Sequence, residues 1–260
     1  LTLVILCVLS ILEVSAENPA QVVIGNSGEP ATLDPHKYNL RLEETLLNDL
    51  FLGLTTFNAK GEIVPGAAKS WTASEDGLTW TFTLRDDLKW SDGKALNAED
   101  FVFSLRRLQD PKTAASLSYF LYMIKNAEAV NKGERPIESL GVHAKGSHTL
   151  IIELEKPYPY LLERLLYPTG FPVPKHAIEA FGDNWVKPKN WVSNGAFVLS
   201  DWSPQEHVQL EANDYFHEPV SITSAKYLPV ASEQSGFNRF RTGELHAIAS
   251  FPAGEIERFE

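Results

Sequence analysis

Cysteine is almost missing from this chain. Cys7 is the single one in 260 residues, which excludes a disulfide framework and a thiolate metal site. Basic charge is also scarce: 23 Lys and Arg stand against 34 Asp and Glu, for a formal net charge of −11. Nucleic acid and anionic membranes both need a basic face, so neither is expected as a partner. There is no internal repeat and no low-complexity tract. The sequence has no G-x-S-x-G elbow, no H-E-x-x-H, no P-loop and no G-x-G-x-x-G. His36, His143, His148, His176, His207, His217 and His246 are scattered without metal-ligand spacing. Asp86 and Asp87 are adjacent, which does not suit a dyad sharing one proton. No catalytic site, metal or cofactor is therefore expected, and the chain does not read as an enzyme.

Residues 1–16 form an apolar run ending in Val14-Ser15-Ala16. The run is too short for a comfortable transmembrane helix, and its small residues suit signal-peptidase cleavage before Glu17. Residue 1 is Leu and no positive stretch precedes the run, so the sequence is expected to begin inside its signal peptide. Leu6 stands before Cys7 where a lipoprotein signal would want a small residue, so no lipid anchor is expected. Cys7 would leave with the signal. An exported chain without disulfides suits a Gram-negative periplasm.

Local patterning predicts an ordered α/β chain. Gln21 to Gly25 reads as a buried strand. Glu43 to Leu54 reads as a helix, with Leu46, Leu47, Leu50, Phe51 and Leu54 on one face. Leu78 to Leu84 alternates Trp80, Phe82 and Leu84 with Thr79, Thr81 and Thr83, the period of a half-buried strand. Ser91-Asp92-Gly93 has turn chemistry. Asn97 can cap a helix carrying Phe101, Leu105 and Leu108, which Asp110-Pro111 ends. On that helix Arg106 and Arg107 read as a solvated face.

Further on, Ala114 to Lys132 reads as one helix stopped by Gly133. Thr149 to Leu154 is a strand, Tyr160 to Leu166 a helix, Phe171 to Pro174 extended and His176 to Phe181 a short helix. Asn194-Gly195 marks a tight turn, and Ala196 to Leu199 pairs with His207 to Leu210 as a hairpin. Lys226 to Val230 is a strand. Glu233 to Thr242 is a helix with Phe237 and Phe240 inward, and Leu245 to Ser250 is a last strand.

The segment SEDGLTWTF-x-LR-x-x-x-KW-SDG-x-x-x-x-A-x-DF-x-x-S, together with LDPHK near residue 35, FPVPKHAIEAFGDNW, SNGAF, KYLPV and FNRFRTGEL, resembles the large bacterial extracellular solute-binding proteins of the peptide/nickel ABC-importer class. The similarity is to the oligopeptide-binding branch and covers about residue 24 to the C-terminus. It implies mixed sheets with flanking helices, the class II periplasmic-binding-protein fold in its three-domain form. Domain I would take 17–51 and 170–260, and domain II 52–169. Members of the class are about twice this length, so an N-terminal fragment that stops before domain III and its opposing lobe is expected.

The resemblance implies a periplasmic, monomeric binder of short peptides serving an ABC permease and ATPase. Relatives grip an extended peptide largely through its backbone. The segment after L-D-P-H-K would lie beside the ligand, which implies Asn39, Leu40 and Arg41; on the residues alone a polar connector into the next helix is the favoured reading, and the resemblance reverses that. A second lining segment implies Ser250 and Phe251, the aromatic ring departing from the polar residues usual there. Tyr119 stands nearest the pocket tyrosine of relatives. Half a clamshell cannot enclose a ligand, so weak or no peptide binding by these 260 residues is expected. Murein tripeptide, dipeptide, haem or nickel chelates are alternative ligands on the same fold. A secreted hydrolase or a non-transport interaction remnant are readings from other classes.

Overall fold

A computed structural model describes residues 20–258; the expected signal peptide lies outside the described residues. In chain order come β1 (Gln21–Asn26), α1 (Arg41–Leu50), the hairpin β2 (Thr55–Phe57) and β3 (Ile63–Pro65), then β4 (Ala68–Ala73), β5 (Thr79–Leu84) and α2 (Ala98–Gln109). Next are α3 (Ala127–Asn131), β6 (Val142–Ala144), β7 (Thr149–Glu153), α4 (Leu161–Arg164) and α5 (Lys175–Phe181). β8 (Phe197–Ser203), β9 (His207–Ala212), β10 (Ser224–Pro229), α6 (Glu233–Arg241) and β11 (Ala247–Ile248) follow.

The strands form two main sheets. One has the order β11-β1-β10-β9-β8, with β1 parallel to both neighbours and the remaining pairs antiparallel. The other, β4-β5-β7-β6, is antiparallel throughout. The first sheet draws on both ends of the described chain and the second on its middle. Their buried side chains nevertheless form one continuous cluster, from Leu46 and Leu50 on α1 through Phe82 and Leu84 to Trp185, Leu199 and Leu210.

The stretch that alternates in the sequence is strand β5. Phe82 and Leu84 are fully buried, and Trp71 and Trp80 each sit 6.4 Å from the Phe82 ring. The helix after it is capped reciprocally: Asn97 Oδ1 accepts from Glu99 N and the Asp100 carboxylate accepts from Asn97 N, both at 2.8 Å. That satisfies orphan donors at the helix start, and Phe101, Leu105 and Leu108 are buried as the spacing requires.

Three expectations are corrected. Ala114 to Lys132 is not one helix: it is a 3-10 turn at Ser118–Leu121 followed by α3. Ala114 and Asn126 adopt left-handed backbone (φ 55° and 63°), which no α-helix tolerates. Leu121, Ile124, Ala127 and Val130 are still buried, so the period reported burial rather than helicity. The helix expected at Glu43 to Leu54 starts at Arg41 and ends at Leu50. It ends there because the buried Asn194 side chain takes both main-chain groups of Leu52, accepting from its N at 3.1 Å and donating to its O at 2.9 Å. Gly195 lies so close to Asp49 and Leu50 that a side chain there would run into their main chain. Lastly, Phe237 is buried but Phe240 is 38% exposed, because only one of the two faces the sheet.

Candidate functional site

The segment implied to meet a ligand hangs from a loop held by two buried clamps. Asp34 forms a two-pronged pair with Arg107 of α2, at 2.6 and 3.0 Å, and the same guanidinium donates to His36 Nδ1 at 2.9 Å. His36 Nε2 then donates to Phe171 O at 3.3 Å, which fixes the neutral Nε2–H tautomer because arginine can only donate. Burial, then the Arg107 charge, push the His36 pKa down to about 3. Burial alone would raise Asp34, but the hydrogen bond and charge of Arg107 outweigh it and hold the carboxyl below its ordinary value. Arg107 is thus no solvated residue: its side chain is 12% exposed and that of Asp34 4%. The sequence reading failed here because the partner lies far away along the chain.

Glu43 is the second clamp. It is fully buried, and its carboxylate accepts from the main-chain N of Ala31 (2.9 Å), Thr32 (3.3 Å), Asn39 (2.9 Å) and Leu40 (3.1 Å). The Leu40 carbonyl in turn accepts from Glu43 N and Glu44 N. Asn39 and Leu40 therefore spend their donors inside the protein. Asn39, Leu40 and Arg41 are themselves exposed. It forms no strand: Leu40 is extended (φ −118°, ψ 146°) and Arg41 opens α1.

Two clefts lie near the start of α1. The larger, about 1000 Å³, has Arg41, Glu44 and Asn48 of α1 on one wall and Tyr160, Arg164 and Tyr167 on the other, over a floor with Phe51 and Phe171. The smaller, about 310 Å³, lies at the carboxyl ends of β1, β10 and β11 and includes Asn26, Ser232 and Ser250. Ligands of open α/β sheets commonly bind at that edge. Asn26 Nδ2 donates to Leu42 O at 3.3 Å, which ties the small cleft to the start of α1.

Of the implied site residues, Arg41 lines the larger cleft and Ser250 the smaller. Asn39 and Leu40 are exposed but line neither cleft. Tyr119 is 55% exposed and packs edge-on to Phe120 at 4.9 Å, which meets Tyr167 at 5.4 Å. Burial raises the pKa of the Tyr38 hydroxyl, and the charges of Glu44, Tyr167 and Tyr119 raise it further. Phe251 is 45% exposed and lines neither cleft. Sequence reasoning missed Glu44, Asn48, Tyr160, Arg164 and Tyr167. A signal existed: positions 41, 44 and 48, and 160, 164 and 167, each recur at helical spacing and are polar or aromatic. Among the described residues no group of His, Cys, Asp and Glu is arranged to hold a metal.

The backbone superposes on the Haemophilus influenzae OppA complex with RPPGFSPFR at a TM-score of 0.89 and 35% identity, covering 94% of this chain and 48% of that one. The open, unliganded MppA murein tripeptide binding protein gives a TM-score of 0.88 at 38% identity, covering 93% and 47%. The fold is therefore that of class II periplasmic binding proteins. The model of bacterial extracellular solute-binding proteins, family 5 Middle, matches residues 62–260, and the chain belongs to that family. The periplasmic oligopeptide-binding protein OppA of Escherichia coli (strain K12) is 41% identical over 230 residues, 86% of this chain and 42% of that protein. The periplasmic murein peptide-binding protein MppA of the same organism is 38% identical over 259 residues, 95% and 48%. The chain spans about half the length of the curated relatives it matches.

Proposed function

We propose that this chain is ligand-holding sequence of the periplasmic component of an ABC importer, that it takes extended peptides and serves a membrane permease and its ATPase, and that it performs no catalysis. Export would follow from the leader at residues 1–16, and the two sheets would mark domain I (17–51 with 170–260) and domain II (52–169). Working as a monomer follows from the same reading. The observation that carries the proposal is the exposed Arg41, on a segment clamped by Glu43 and lining a cleft of about 1000 Å³, in a chain 41% identical to an oligopeptide-binding protein. With Asn39 N and Leu40 N committed to Glu43, pairing here runs from ligand N–H groups to protein acceptors.

The test is an NMR titration of the chain without its leader with trialanine. Weak, saturable shifts at Asn39–Arg41, Tyr119 and Ser250 are expected, since these residues are all exposed and a ligand on them stays largely in water. Shifts confined to other surfaces, or none at saturating peptide, would overturn the reading. Sub-micromolar binding would overturn the expectation that this chain alone binds weakly.

A further inference from the structure

A third cleft, of about 490 Å³, lies between α2 and α5 and shares no lining residue with the other two. Its wall is apolar at Val102, Phe103 and Ile178 and carries three cations, Arg106, Arg107 and Lys175. Two of these are engaged. Arg107 is committed to Asp34, and Lys175 Nζ lies 3.7 Å from the Glu179 carboxylate. Two of the bordering acids are also engaged: Asp100 accepts from Asn97 N at 2.8 Å and Asp110 from Lys112 N at 2.9 Å.

Arg106 is the exception. Its Nε is buried without a hydrogen-bond partner among the described residues. A desolvated guanidinium N–H left unpaired is costly, and native proteins rarely keep one without reason. We infer that this cleft binds a small amphipathic monocarboxylate, with the Arg106 guanidinium holding the carboxylate and the apolar body lying against Phe103 and Ile178. The volume falls within the usual range for small-molecule sites, roughly 300–1000 Å³. Guanidinium and carboxylate match in planar, two-pronged geometry. One unpaired cation among several carboxylates favours a monoanion over a doubly charged phosphate. Glu99, the remaining acid of α2 at the cleft, stands two turns from Arg106, about 10 Å along the axis.

The test uses 4-phenylbutyrate, and its neutral amide 4-phenylbutanamide, titrated into the 15N-labelled chain. Saturable shifts at residues 102–106 and 175–179 are expected with the acid. Affinity should fall at least about tenfold for the amide and in Arg106→Gln. Arg106→Lys keeps the charge and most of the stem but loses the planar fork, so it should fold and bind with intermediate affinity. Absence of saturable shifts overturns the inference, as does equal binding of acid and amide or an Arg106→Gln protein that binds unchanged. Shifts at residues 39–41 or 249–251 instead would place the acid in the peptide clefts, sinking this inference while leaving the peptide reading intact.

Discussion

His36 is neutral in the folded protein at any pH near neutrality, because burial and the Arg107 charge push its pKa down to about 3 from an ordinary 6.5. The unfolded chain takes up that proton as pH falls through 6.5, and the folded chain resists until about 3. Unfolding therefore binds a proton across this window, and stability declines as pH drops, by about 1.4 kcal/mol per pH unit from this group alone. Asp34 acts in the same direction at lower pH, since its folded value is also depressed. His36→Gln removes the titration while retaining a donor and an acceptor. Denaturant melts between about pH 6 and pH 4 should give a slope shallower by about one proton for the variant. Equal slopes would mean that His36 is already charged in the folded state.

At the scale of elements, the Asn194 side chain shows how the sheet dictates where a helix stops. It holds the buried Leu52 main chain from 142 residues away. Asn194→Ala leaves a donor and an acceptor without partners, each costing about 1–3 kcal/mol. A clear fall in the urea midpoint with unchanged slope is expected, and a midpoint within error of the parent would refute the clamp. The same contact explains what could be read from residue order. β5 and α2 were legible because alternation, the Asn97 cap and the apolar spacing of Phe101, Leu105 and Leu108 are all local signals. The end of α1 was not, since Phe51 and Leu54 extend its apolar period and only the distant Asn194 breaks it. Arg107 misled for the same reason, its partner Asp34 being 73 positions away. At the candidate site Arg41 and Ser250 could be placed beside clefts only through family likeness. Tyr160, Arg164 and Tyr167 escaped notice although Tyr160 to Leu166 reads as a helix, of which Leu161–Arg164 forms; nothing local says that its polar and aromatic side borders a cleft.

For the whole molecule, two separate sheets suggest two independently melting bodies, but the packing argues otherwise. Phe51, directly after α1, meets Trp185 at 6.4 Å, Trp191 at 5.7 Å and Phe171 at 6.5 Å, and these side chains belong to the same buried cluster as Phe82 and Leu84 of the second sheet. Val173 N donates to Ser104 Oγ of α2 at 2.8 Å. The Asp34–Arg107 pair ties the chain after β1 to the same helix. Neither sheet can lose its structure without exposing core that the other also covers, so calorimetry should show a single transition with matching calorimetric and van't Hoff enthalpies. Arg107→Ala tests the linkage. Removing one partner strands a buried carboxylate, at a cost of about 3–5 kcal/mol, or roughly 2–4 °C per kcal/mol for a chain of this size. The expected outcome is one peak moved to lower temperature. Two resolved peaks, in the parent or in the variant, would show that the sheets melt apart and that the shared core does not couple them.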